Sequence, residues 1–315
     1  MTDAPAAPPS PNAPPSPAAE RRPLFDRPLL DRRRRRAAMR GQTGALFLLE
    51  RIADELEDRL SLVERRFAVA VDLAGHAGAS AERLRRSGKA DLVLEIERDA
   101  AFLSKGPGER LAIVADEEAL PLKAESVDLF VSTLSLHLTN DTPGVLVQAA
   151  RALRPDGLFL AALLGGETLH ELRASLIAAE AEATGGVSPR VAPFADIRDA
   201  GALLQRAGLA LPVSDVDRLT VRYDSIFDLM RDLRAMGMAN MVSERSRRPA
   251  TRQFFRRAAE IYAERFSDPD GRVRATFDIL YLSGWKPHES QQKPLSPGSG
   301  KVSLAEALKD RSPLR

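Results

Sequence analysis

ADEEALPLKAESVDLFVSTLSLH (residues 115–137) and RALRPDGLFLAALLGGETLHELR (residues 151–173) decide the fold. They read as an acidic turn, a buried strand, the end of a helix, a second buried strand and a tight Gly165-Gly166 turn into another helix. Apolar runs that end in polar residues are the mark of parallel strands covered on both faces. Such sheets bind ligands outside the carboxyl ends of their strands.

Working outward, further strands are expected at 67–73, 91–97, 111–115, 212–221 and 277–285. Helices are expected at 44–66, 79–86, 143–153, 168–183, 196–207, 226–237 and 251–266, with a turn at 154–157. This alternation predicts an α/β, doubly wound, mostly parallel seven-stranded sheet, with a helical insertion at about 184–270 before the last strands. The domain itself spans 67–286. A Pro/Ala-rich disordered tail precedes it at 1–22, then a basic arm and leading helix at 23–66, and an irregular tail follows at 287–315. In the arm, Phe25, Leu29 and Leu30 read as apolar anchors that dock the segment on the domain. The arginine run 32–36 reads either as part of that docked arm or as an electrostatic contact to a partner or membrane surface.

Composition narrows the function. The chain has 315 residues, a net charge of +2 and no cysteine, which removes disulfides, thiolate catalysis and cysteine-ligated metal centres. Its four histidines, His76, His137, His170 and His288, lie far apart, and no metal site is expected. The basic excess is local and is not the footprint of nucleic-acid binding. No run approaches the ~20 apolar residues that span a bilayer, and the N-terminus lacks an apolar signal core. The chain therefore reads as cytoplasmic, with contact to a membrane-bound partner left open.

Candidate site residues fall at the strand ends. The first loop, Asp72-Leu-Ala-Gly-His-Ala-Gly78, has Gly75 and Gly78, but Ala74 and His76 stand where a ligand cradle wants glycine. Glu97, with Glu95 as competitor, offers two acceptor oxygens to a ribose diol. Asp116 and its neighbour Glu117 can meet an adenine edge, or Asp116 can cap the following turn. Ser132 and His137 lie where a substrate meets a cofactor, and His137 suits either acid–base work or a structural hydrogen bond. Glu167, His170, Glu171 and Arg173 gather at one helix start, where Thr168 and Glu171 fit a capping box. The segment 236–241, MGMANM, reads as a packed helix end.

The combination of the acidic turn, VSTLSLHLTND (131–141), LRPDGLFLAALLGGETLHELRASL (153–176), FDLMRDLRAMG (227–237) and GWKPHESQ (284–291) resembles the class I S-adenosylmethionine-dependent methyltransferases. More narrowly, it is similar to the methyltransferase-fold complex I assembly factors, described as protein arginine hydroxylases, and their bacterial relatives. A wider likeness is to the carboxyl methyltransferases that esterify a malonyl thioester in biotin synthesis. The resemblance implies S-adenosylmethionine as cofactor, with Asp72 and Gly78 in its loop, Glu97 at the ribose and Asp116 at the adenine; Gly75, Glu117 and Ser132 join these cofactor candidates from the reading of the loop and strand ends. The resemblance also implies a protein substrate, namely a subunit of respiratory complex I (NADH:ubiquinone oxidoreductase); from the residues themselves, His137 or Glu167 is the candidate to take the substrate proton. The family loop runs Asp-x-Gly-x-Gly-x-Gly, so Ala74 and His76 are departures. They leave a non-catalytic assembly factor with a relic loop as the competing reading.

Overall fold

In the computed structural model, residues 23–41, 44, 46–76, 78–103 and 110–292 are described; the two expected tails lie almost wholly outside them. Seven strands form one sheet: β1 (Phe67–Leu73), β2 (Ala90–Glu97), β3 (Leu111–Val114), β4 (Val127–Thr133), β5 (Leu153–Leu164), β6 (Ala210–Tyr223) and β7 (Val273–Trp285). Their order is β3-β2-β1-β4-β5-β7-β6, parallel except for β7, which runs antiparallel to both its neighbours. The order reverses between β1 and β4, so their carboxyl ends open the crevice expected of a doubly wound sheet.

Helices α1 (Arg27–Arg40), α2 (Phe47–Ser61), α3 (Ala79–Ser87), α4 (Thr142–Ala152), α5 (His170–Thr184), α6 (Ile197–Arg206), α7 (Ile226–Ala235) and α8 (Arg252–Phe266) surround the sheet. One core lies between the sheet and α2, α3, α5 and α8; a second lies between the opposite face and α4 and α6. Among the described residues no helix is long and apolar enough to cross a membrane.

The strands depart from the apolar runs mainly at their ends. β5 begins at Leu153 and absorbs the turn expected at 154–157, with an irregular register against β4. β6 and β7 form a long antiparallel pair, and β6 alternates between half-buried and exposed residues. Alternation of that kind is what a solvated edge strand shows, and a search for apolar runs underestimates it. Within 184–270, therefore, α6 and β6 belong to the sheet layers, and only α7 and α8 lie between β6 and β7.

The arm is a helix. Asp26 accepts from the Leu29 N–H at the start of α1, Pro28 sits in the first turn and Gly41 closes the helix in a left-handed conformation. Phe25 and Leu30 are buried and Leu29 is half-buried. Helical geometry buries Arg27, Leu30, Arg34 and Ala37 on one stripe, so of the run 32–36 only Arg34 is buried.

The capping box at Thr168 is replaced by something else. Beyond the last β5–β7 pair, Leu164 with Ile279, β7 still has backbone groups to satisfy. Thr168 Oγ1 donates to the Asp278 carbonyl and accepts from the Asp278 N–H, both at 3.1 Å, and Glu171 accepts from the Thr276 N–H. Residues 168 and 171 thus extend the ladder sideways, and α5 starts at His170 after Leu169 in a left-handed turn.

Candidate functional site

The loop after β1 keeps a glycine backbone without the glycines. Ala74 has φ +53° and His76 φ +45°, followed by Gly78 at +73°. A left-handed conformation costs a residue with a Cβ roughly 1–2 kcal/mol. Gly75 has a different reason to be glycine: a Cβ there would stand 2.3 Å from the Asp72 carboxylate oxygens. Asp72 is buried. Its Oδ2 accepts from the Ala81 N–H at 3.1 Å, while Oδ1 has no hydrogen-bond partner. Burial, reinforced by the nearby Glu95 charge, pushes the Asp72 carboxyl up to about 7.

His76 donates its backbone N–H to Glu97 Oε1 and turns its ring onto Phe102, with centroids 4.8 Å apart. The ring is buried, Nδ1 is unpartnered, and burial with help from Arg34 lowers the imidazole to about 3. Glu97 is buried at the end of β2 and raised to about 8 by that burial, against the pull of Arg34. Glu95 is bound to Arg85 of α3 and lies 3.6 Å from Arg110. That leaves Glu97 as the strand-end acid facing the loop.

The acidic turn is in place but engaged. Arg27 reaches Asp116 at 2.8 Å, Glu117 at 2.6 Å and Glu118 at 2.8 Å. Arg98 bridges Asp31 of α1 at 2.9 Å and approaches Asp116 and Glu117. Asp116 also accepts from the Glu118 N–H at 2.8 Å, the local capping contact allowed for in the sequence. α1 therefore lies over the ends of β2 and β3.

At the end of β4, Ser132 Oγ donates to the Leu73 carbonyl at 3.0 Å and ties β4 to β1. The free hydroxyl belongs instead to Ser135, which is buried without a partner. His137 is buried: Nδ1 accepts from the Leu164 N–H at 3.4 Å, Nε2 has no partner, and the ring meets Phe194 edge-on. Burial, with Arg34 nearby, lowers its imidazole to about 3, so both rings are neutral. Glu167 is exposed and contributes its backbone N–H to Asp278 at 3.2 Å. Nothing links it to His137, and Arg173 is spent on the Thr168 carbonyl at 3.2 Å.

A cavity of about 280 Å³ opens beside the loop, with His76, Leu134 and Leu164 at its strand-end wall. Leu172 and Leu176 of α5 and Leu233 of α7 form other walls. Met230, Met236, Met238 and Met241 also line it, so the MGMANM segment is cavity wall as well as helix end. These are four of the chain's six methionines, a concentration visible in the sequence. Arg34, Arg190 and Arg234 border the cavity, and no described Asp or Glu does. Asp72, Glu97, Asp116 and Glu117 lie outside its lining.

Residues 71–161 match the family model described as a methyltransferase domain. The human "Arginine-hydroxylase NDUFAF5, mitochondrial" is 39% identical over 90% of this chain and 83% of its own length; the zebrafish protein of the same name is 40% identical over 84% and 82%. The "Malonyl-[acyl-carrier protein] O-methyltransferase" of Laribacter hongkongensis is 32% identical over 81% of this chain and 88% of its own. A solved Bacillus halodurans structure described as a methyltransferase aligns with a TM-score of 0.53 at 14% identity, over 75% of this chain and 99% of that one, which bears on the fold alone. With its strand order, its cradle loop and these likenesses together, the chain belongs to the methyltransferase-fold family of the NDUFAF5 arginine-hydroxylases, and it is also similar to the malonyl-[acyl-carrier protein] O-methyltransferases.

Proposed function

We propose that the protein binds S-adenosylmethionine in the crevice over β1, β2 and β4 and acts on a side chain of a protein substrate, a subunit of respiratory complex I, during assembly. The observation that carries the cofactor reading is the loop backbone: Ala74 and His76 hold the left-handed conformation that glycine adopts freely. Strain of this kind persists where the surrounding structure over-determines it. Buried atoms without a hydrogen-bond partner lie at and just past the ends of β1 and β4, at Asp72 Oδ1, Ser135 Oγ and His137 Nε2. Such atoms suit a polar ligand, and the residues fit the cofactor at its amino-acid end.

When bound, S-adenosylmethionine supplies a methyl group activated by its sulfonium. Glu97 would hold the ribose hydroxyls, and Asp116 with Glu117 the adenine side, beneath α1. Neutral His137 accepts from the Leu164 N–H at Nδ1, so its one proton sits on Nε2, which is placed to donate a hydrogen bond to a ligand at the strand end; Glu167 is exposed. The arginine acceptor and the assembly role rest on likeness to the NDUFAF5 proteins. A second reading, carboxyl O-methylation, draws on the cavity wall: Arg34 and Arg234 line it with no described carboxylate in the lining, while Arg190 is held by Glu180, and such a wall suits an anionic acceptor better than a guanidinium.

The test is mass spectrometry of complex I subunits from cells with and without the chain. Loss of one oxygen from a subunit arginine on deletion supports hydroxylation, and loss of one methyl supports transfer. Unchanged subunits with failed assembly would overturn catalysis and leave a scaffold.

A further inference from the structure

We propose that Arg34 of α1 is the counter-charge for the α-carboxylate of S-adenosylmethionine, taking over in this chain what the altered loop no longer offers. The assignment rests on the cofactor reading above and goes beyond it in naming a residue on the arm. Arg34 is 7% exposed, yet its Nε has no hydrogen-bond partner and its guanidinium makes no ion pair among the described residues. Its neighbours differ: Arg27 and Arg98 are engaged with carboxylates, and Arg35 is bound to Asp99. Glu97, Glu117 and Asp31 act on Arg34 only through space, none of them in an ion pair with it, so its buried donors are left for an anion that makes direct contact.

Arg34 lines the main cavity together with His76, on the side of the loop. Its position is fixed from behind. Gly237, just past α7, has φ +76°, and a Cβ there would lie 3.0 Å from both Cα and Cγ of Arg34. The loop meanwhile has lost a donor, because the His76 N–H is committed to Glu97. S-adenosylmethionine carries one anionic group, the α-carboxylate, at the end that approaches this loop. A guanidinium can take that group with two parallel hydrogen bonds.

The experiment is calorimetric titration of the full chain, Arg34→Met and Arg34→Lys with two ligands. One is S-adenosylhomocysteine, which keeps the carboxylate; the other is 5′-methylthioadenosine, which lacks the whole amino-acid end. The expected result is a loss of about tenfold or more for S-adenosylhomocysteine in Arg34→Met, little change for methylthioadenosine, and an intermediate loss in Arg34→Lys. Should Arg34→Met fail to fold, Arg34→Lys carries the same comparison. Equal losses for both ligands mean a packing role and overturn the assignment, as does no loss at all. Silence of the natural chain toward both ligands would sink the cofactor reading itself, and the assignment with it.

Discussion

The two ends of the crevice depart from expectation in opposite ways. At the β1 loop the residues have changed and the backbone has not: Ala74 and His76 keep positive φ. At the turn after β3 the residues Asp116, Glu117 and Glu118 are all present, but Arg27 of α1 holds them together. Residue identity alone therefore misjudges both ends, making the loop look broken and the turn look free. The lesson is that a ligand site is read from conformation at one end and from charge partners at the other.

The sharpest way to break this contrast is to remove Arg27. Arg27→Met leaves buried Glu117 with only the longer contact to Arg98 at 3.7 Å, while Asp116 and Glu118 are partly solvated. The expected loss is about 2–3 kcal/mol in denaturant unfolding, with α1 becoming protease-sensitive. Unchanged stability would mean that the three-carboxylate contact does not hold α1. Asp116→Ala is milder for the fold because that side chain is half-exposed, but it should abolish adenosine-dependent binding in a titration; persistent binding would refute the adenine assignment.

The loop end makes a pH prediction. Burial raises Glu97 to about 8 and Asp72 to about 7, so the folded chain holds more protons at these groups than the unfolded chain from about pH 4 upward. Their contribution to stability therefore falls as pH rises through that window to about 8. Glu97→Gln should melt higher than the natural chain at pH 8 by about 2 °C or more, with the difference shrinking toward pH 5. His76 and His137 act the other way, being lowered to about 3, so their neutral burial costs stability as pH drops below 6.5. A Glu97→Gln melting difference that does not vary with pH would contradict the burial argument.

The smallest effect is strain relief. Ala74→Gly frees a left-handed position and should stabilise by about 1 kcal/mol or less, measured by chemical denaturation. A destabilisation would show that φ at this residue is not the cost it is taken to be.

Much of the sheet was legible because β4 and most of β5 are buried and β1 is buried over its second half, so that they spell apolar runs, while β2 shows its apolar residues between acids. Edge strand β6 was legible only over its middle, 212–221, and β7 was placed to its end at Trp285 but missed over its first residues, 273–276. Helix α1 was harder. Its inward stripe, Arg27, Leu30, Arg34 and Ala37, has helical spacing, but two of the four positions are arginines, and a search for apolar periodicity passes over them. Asp72, Glu97 and Asp116 were placed from strand ends, which the fold fixes. Ser135 and Arg34 were not singled out, because what marks them is the lack of a partner, and partners are a property of the folded chain. At Glu167 the sequence showed the turn but not its destination: the Gly165-Gly166 turn brings that segment to β7, where Thr168 and Glu171 complete the ladder.

The most direct measurement is a titration of the natural chain with S-adenosylmethionine, with His76→Gly beside it. A crevice that has kept its backbone binds the cofactor in both, more tightly in the glycine variant. No heat from the natural chain, and binding only in His76→Gly, would contradict the account by showing that the His76 ring closes the site.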